Sequence, residues 1–548
     1  PPDRQADGGP PVIRTPTAAL VLTAACGLAA AARPQPASIA RPRPADLDLI
    51  ILGEDRLARL ELRVEVGGRQ VSAVWDETFD KLFAYHDRNG DGAIDGKEVA
   101  RLPSPFALRQ LLWGQSVPYS GPAVALKAVD RDGDGRVTRA ELVDFYRRSG
   151  LGRVSVGVGR PHATDALTRA LLKALGAEPD GTVTESRWRA AAETLRTLDR
   201  NDDELIGPGE LVPRTAYPGT LGAILLAPPA AKDVPVPELA GLPVIILPAD
   251  PADTSWAAAV VARRDRDKDG RLDAGEAGLS ADVFAGLDAD RDQKLSPAEL
   301  AAWRTAGPTA RATVRLGKRS ANQSAVDSPL SAVGGRLRLD VRADEGKMPQ
   351  QVAAARKQFL DRFTDVDADA DGFIEDKEIT KRNQSELKLL LPAADRDGDG
   401  KLSRAELVAW LDIQDQVATG HALLTILDHG AGLFELLDAD HDGSLSVPEL
   451  RRAWERVTAA GCVSPAGKFD AARLPRQLLL TASRGHPVNP LGAARRDGPA
   501  WFRAMDRNGD GYVSRREFTG PADVFNRLDL DRDGLLSPEE AGRADGAR

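Results

Sequence analysis

The stretch from Asp395 to Glu406, DRDGDGKLSRAE, constrains this chain more than any other. Asp395, Asp397 and Asp399 stand at positions 1, 3 and 5 of a twelve-residue loop. Gly400 follows at 6, where the chain must turn sharply. Lys401 at 7 offers its backbone carbonyl, Ser403 at 9 can hold a water, and Glu406 at 12 brings two oxygens. Hard oxygen donors in this order suit calcium, which takes six to eight oxygens at roughly 2.3–2.6 Å. Asp and Gly are also ordinary turn residues. The recurrence of the stretch in ten versions, each with Glu at 12, argues against a plain solvated turn.

In chain order the first version has Asp87, Asn89, Asp91, Asp95 and Glu98, and the second Asp130, Asp132, Asp134, Thr138 and Glu141. The third has Asp199, Asn201, Asp203 and Glu210. Asp265, Asp267, Asp269, Asp273 and Glu276 make the fourth, and Asp288, Asp290, Asp292, Ser296 and Glu299 the fifth. The sixth has Asp367, Asp369, Asp371, Glu375 and Glu378, ahead of the loop at Asp395. Asp438, Asp440, Asp442, Ser446 and Glu449 follow, then Asp506, Asn508, Asp510, Ser514 and Glu517, then Asp529, Asp531, Asp533, Ser537 and Glu540. Glu204 and Gln293 replace the position-6 Gly in the loops at Asp199 and Asp288, which leaves binding there open. Two more stretches, Gly176 to Arg187 and Cys462 to Arg473, keep the outline but lack the acids, and read as non-binding partners.

Two positions outside the donor set repeat as faithfully. Position 8 is apolar in every version: Ile94, Val137, Ile206, Leu272, Leu295, Ile374, Leu402, Leu445, Val513 and Leu536, with Val183 and Phe469 in the two depleted stretches. An apolar residue stands four before position 1, as in Phe83, Phe284, Phe434 and Phe525, one turn up a helix and on its inner face. In these features the chain resembles secreted multi-EF-hand proteins with calmodulin-like loops, over most of residues 75 to 545. The resemblance implies a mainly α fold of paired helix–loop–helix units, Ca2+ as the bound ion, and a short strand at position 8 joining partner loops. Dockerins also pair calcium loops at short spacing. Their repeats usually lack the entering helix and come as one pair, so they fit less well.

Loop starts recur at offsets of 262 to 265 residues through the middle of the chain and 241 near its end. DRDGDGRVTRAE at Asp130 and DRDGDGKLSRAE agree at nine of twelve positions, and ADVF precedes both Asp288 and Asp529. RLELRVEV and RLRLDVR open the two halves. This is a tandem duplication. The expected plan is six pairs in two halves, with short β segments before each half. Strands and a first pair occupy 47–152, a second pair with a depleted first loop 153–216, and a linker with the third pair 217–304. A linker with strands follows at 305–350, then a fourth pair at 351–416. A fifth pair with a depleted second loop spans 417–480, and a linker with the sixth pair 481–548. The alternating stretch RVSVGVG near 153 reads as a further strand. Pair cores this small are marginal alone, so the folded state is expected to lean on metal.

Residues 1–46 hold an Ala-rich apolar segment, Ala18 to Ala32, and a Pro-rich linker. The segment resembles a secretory signal peptide and is too short to span a bilayer. The expectation is an extracytoplasmic, secreted or periplasmic protein, with lipid anchoring at Cys26 as the variant. Cys462 is then alone, so no internal disulfide framework is available.

Positions 1, 3, 5, 9 and 12 of the ten loops carry forty of the 82 acidic residues, and ten divalent ions would take the formal charge from -9 to +11. Lys and Arg are scattered, with no basic run for nucleic acid. His86, His162, His421, His429, His441 and His486 form no metal-ligand spacing, and no nucleophile or phosphate-loop motif occurs. The expected role is non-enzymatic: a structural or storage calcium protein whose folding the ion stabilises. The alternative is a calcium-dependent interaction or adhesion scaffold of the cell envelope, with an envelope or extracellular protein as partner. A groove-exposing sensor fits poorly, because Met348 and Met505 are the only methionines.

Overall fold

The computed structural model describes residues 45–112, 121–159, 163–215, 241–248, 250–317, 324–327, 336–375, 377–379, 385–487 and 497–546. The Ala-rich segment, Cys26 and the linker up to residue 44 lie outside them.

Strands alternate with pairs of calcium-type loops along the chain. β1 (Leu47–Leu52), β2 (Leu57–Val66) and the short β3 (Arg69–Gln70) come first. β4 (Val154–Gly159), β5 (Val244–Ile246), β6 (Ala310–Leu316) and β7 (Val326–Asp327) follow, with loops between β3 and β4, β4 and β5, and β5 and β6. β8 (Leu337–Asp344), β9 (Ala422–Gly430) and β10 (Arg476–Ser483) punctuate the second half in the same way.

These strands make two sheets. The first runs β7-β6-β2-β1-β5, with β3 added on β2; the second runs β8-β10-β9-β4. β6 lies parallel to β2, and β8 parallel to β10. β4, from the first half, pairs in parallel with β9 of the second, Val154 opposite Ala422. The sheets pack face to face. Leu60, Leu62, Val64 and Val314 of the first meet Leu339, Leu424, Ile426 and Leu480 of the second in one buried core. Each fully buried aliphatic side chain there contributes about 1.5–3 kcal/mol.

This sandwich corrects the expectation of a mainly α chain with β only before each half. Strands before the halves are present, as is the one near 153. β6 falls in the 305–350 segment expected to carry strands, whereas β5, β9 and β10 lie where no strand was expected. β9 and β10 are buried on both faces, so their sequences show no alternation to read. The sandwich core is made of apolar side chains and adds a buried core beside the small pair cores on which the expectation of metal-dependent folding rested.

The helical layers cover the sandwich. Ile50, Leu57 and Ile245 face away from the sandwich core and pack with Trp256, Phe284 and Trp303 of the 265/288 pair. Arg59, 4% exposed, sits at this contact, 2.7 Å from Asp48 and donating to the carbonyls of Trp303 and Ala306. The 87/130 and 367/395 pairs pack on each other: the Tyr85 hydroxyl donates to Ala393 O at 3.1 Å, and its ring lies 5.8 Å from that of Trp410. Trp303 and Trp410 are buried in these cores.

Candidate metal centres

The loop at Asp87 shows how local sequence builds a centre. Asp87 Oδ1 accepts the Asp91 amide at 3.1 Å, and Oδ2 the Gly92 amide at 3.0 Å. Asn89 Oδ1 accepts the Asp91 amide, and Asp91 Oδ1 the Ala93 amide. Glu98 folds back so that Oε1 accepts the Arg88 amide and Oε2 the Asp95 amide, both at 2.8 Å. Each backbone N–H fixes one oxygen and leaves lone pairs converging on the middle of the loop.

The position-12 carboxylate makes the same two bonds, to the amides of positions 2 and 9, in all ten loops. Glu141, Glu210, Glu276 and Glu299 do so in the first half. Glu378, Glu406, Glu449, Glu517 and Glu540 do so in the second. Carboxylate oxygens come within 4.8 Å of one another at Asp130, Asp132 and Glu141; at Asp265, Asp267 and Asp269; and at Asp288, Asp290 and Asp292. They do so also at Asp367, Asp369 and Glu378, and at Asp395, Asp397 and Asp399. Like charges this close repel unless a cation sits among them. The donor chemistry therefore fits a hard dication such as calcium.

Glu204 and Gln293 adopt the left-handed turn that Gly makes elsewhere, each with φ of 66°. Their amides still reach Asp199 and Asp288, at 2.9 and 3.1 Å. The missing Gly therefore leaves the loop shape intact, at a cost of about 1–2 kcal/mol each.

Pairing follows position 8 only in part as expected. Ile94 bridges Val137, Leu272 pairs Leu295, Ile374 pairs Leu402 and Val513 pairs Leu536, each between neighbours in sequence. The middle loops do otherwise. Ile206 pairs Leu445, and Val183 pairs Phe469. The expected second and fifth pairs are thus corrected: the loop at Asp199 joins the loop at Asp438, and the two depleted stretches join each other. One pair carries both donor sets and the other carries neither. Residues 163–215 and 432–474 share a single core, with Leu171, Trp188 and Leu195 against Phe434, Val457 and Phe469.

The depleted stretches carry Arg where the other loops carry Glu. Arg187 occupies position 12, where a Glu would reach inward. Its guanidinium bonds Gly176 O and lies 3.1 Å from Glu178. Arg473 holds the same position in the other stretch, 3.4 Å from Asp470. In each depleted stretch the position-12 residue is thus a cation paired with a carboxylate of its own loop. Cys462 is fully buried beside Arg473, and burial pushes its thiol up to about 11.

The loop at Asp438 is the most enclosed. Asp438 is 1% exposed. Arg342 of β8 donates to Asp440 O at 2.7 Å, and the His441 ring lies 3.6 Å from Asp340. Asp340 and Arg342 were missed as site residues, although the alternation of RLRLDVR places them on one face. Asn508 Nδ2 donates to Asp203 O at 3.0 Å, and Arg451 meets Asp533 at 3.1 Å. The loops at 199, 438, 506 and 529 therefore form one cluster.

Burial, then the neighbouring carboxylates, pushes Asp442 up to about 7, and Asp438 and Glu449 also rise. Burial likewise takes Asp510 to about 7. A raised acid favours the metal-free fold at low pH and loses that contribution as pH rises through the folded value. With chelator, the urea midpoint should rise as pH falls from 8 to about 5.5. With saturating calcium it should fall over the same window, because protons compete for the same oxygens. The same slope in both buffers would contradict this account.

A family model described as EF hand matches residues 79–103, 123–146, 387–411, 431–454, 500–519 and 522–540. These segments hold the loops at Asp87, Asp130, Asp395, Asp438, Asp506 and Asp529. No curated protein and no solved structure matches the chain.

Proposed function

Because the chain is a multi-EF-hand, calcium-binding protein, we propose that its ten loops are structural calcium sites that lock helical layers onto a central β-sandwich. The role is non-enzymatic, and the protein works where free calcium is plentiful. One observation carries the reading: the loops at Asp199 and Asp438 come from different halves and are joined through Ile206 and Leu445. An ion in either loop then braces the two halves against each other. The four loops outside the matched segments, at Asp199, Asp265, Asp288 and Asp367, make the same backbone bonds and belong to the same set.

The Ala-rich segment at 18–32 supports an extracytoplasmic setting, where dissociation constants of about 10⁻⁴–10⁻³ M suffice. Among the described residues no helix is long and apolar enough to cross a membrane. The test is metal content after dialysis against millimolar calcium, read by elemental analysis and native mass spectrometry. Ten ions per chain is the expected result. Six would restrict the sites to the matched segments, and none would end the reading.

A further inference from the structure

In the 265/288 pair, each donor carboxylate at positions 3 and 5 commits one oxygen to the loop backbone. Asp267 Oδ1 accepts the Asp269 amide at 3.2 Å, and Asp269 Oδ1 the Arg271 amide at 2.9 Å. Asp290 Oδ1 accepts the Asp292 amide at 3.1 Å, and Asp292 Oδ1 the Lys294 amide at 2.8 Å. That leaves Oδ2 of each for a metal. All four Oδ2 atoms face a cation from the opposite loop. The Arg271 guanidinium is on Asp292 Oδ2 and 3.9 Å from Asp290 Oδ2. The Lys294 ammonium is on Asp269 Oδ2 and 3.5 Å from Asp267 Oδ2.

Register explains the crossing. Leu272 lies opposite Leu295 and Asp273 opposite Lys294, so the position-7 side chain of each loop stands beside the partner's donors. Position 7 gives a metal only its backbone carbonyl. Coordination therefore leaves the side chain at this position open, and a positive charge there acts against a dication.

The other pairs differ in this respect. In the 87/130 and 367/395 pairs only one member carries a position-7 cation: Arg136 meets Asp91 at 3.0 Å, and Lys401 meets Glu375 at 2.5 Å, with Lys377 of the 367 loop also 2.5 Å from Glu375. Position 7 is Leu205 and Ser444 in the 199/438 pair, and Tyr512 and Leu535 in the 506/529 pair. Arg342 donates to the backbone carbonyl of Asp440 and Arg456 stands 3.9 Å from Glu449 Oε1, but position 7 brings no cation to the carboxylates of the 438 and 506 loops.

We propose that Arg271 and Lys294 are reciprocal, built-in competitors for calcium, so that the 265/288 pair fills after the loops at 438 and 506. The one-sided pairs, 87/130 and 367/395, fall between. The chain then takes up calcium over a broad range of free concentration, with the cross-half brace loaded first. This rests on the reading that the loops bind calcium.

The test is a calorimetric calcium titration of the full chain at low ionic strength. The wild type should show a late, two-ion phase. The double variant R271Q/K294Q should move those two ions to lower calcium by on the order of tenfold. The gap should shrink in 1 M KCl, where the screening length falls to about 3 Å. The charge-preserving variant R271K/K294R should keep the late phase, which separates charge from any loss of folding. D265A/D288A should delete the late ions and no others. A late phase unmoved in R271Q/K294Q, or ions lost from the early phase in D265A/D288A, overturns the proposal. A wild type that binds no calcium sinks the calcium reading and this proposal together.

Discussion

Calcium removal should split one cooperative unfolding transition into two. In millimolar calcium the sandwich and its helical layers are expected to melt together. In chelator the loop pairs should loosen first and the sandwich later, at clearly separated temperatures. Forty loop carboxylates drive the first event, for without metal about four share each loop. The second survives because the sandwich core and the 176/462 pair use no ion: Leu62, Ile426 and Leu480 are buried by sheet packing, and Arg187 and Arg473 already supply charge.

The size follows from linkage. With dissociation constants of about 10⁻⁴–10⁻³ M, millimolar calcium stabilises by about 0.4–1.4 kcal/mol per site. The 199, 438, 506 and 529 cluster then contributes about 2–6 kcal/mol, a large share of the roughly 5–15 kcal/mol of a whole domain. Scanning calorimetry with far-ultraviolet circular dichroism reads both events. A single transition at one temperature, with and without chelator, would refute the arrangement.

Leu445→Ala should do damage in two places far apart in sequence. Leu445 is fully buried and pairs with Ile206 of the other half. Truncating a buried leucine costs about 2–5 kcal/mol, with the spread set by how far the site collapses. The calcium consequence is the sharper readout. Both the loop at Asp438 and the loop at Asp199 should weaken, because each uses the other as its strand partner.

Val183→Ala makes the contrast. Val183 pairs with Phe469 in the ion-free pair, so stability should fall while calcium stoichiometry holds. If pairing instead followed sequence order, Val183→Ala would disturb the Asp199 loop and Leu445→Ala would spare it. Calcium content and urea midpoints of the two variants decide between the arrangements.

Much of each centre was legible because each centre is local. The bonds that shape a loop span at most ten residues, as from Glu98 to the Arg88 amide. Residue type and spacing therefore name the donors directly. The doubt over Glu204 and Gln293 arose because a left-handed turn usually asks for Gly, and neighbouring bonds hold it there without one. The strands were half legible. β2 alternates, with Leu60, Leu62 and Val64 inward and Glu61, Arg63 and Glu65 outward, and reads as a strand at sight. β9 and β10 are covered on both sides and read as featureless apolar runs.

Residue order alone determined the donors, the turn and the apolar residue at position 8, since all three act within twelve residues. It also determined that the chain is two copies of one plan. Tertiary structure decided which loops meet. Position 8 is apolar in every loop, so Ile206 could dock on Val183 as readily as on Leu445 by chemistry alone. Placement of β4 beside β9 settles the matter, by carrying the first half's middle loops over to the second half's. Sheet packing is a long-range event that no twelve-residue window contains, and it joined the two acid-bearing middle loops to each other and the two depleted stretches to each other.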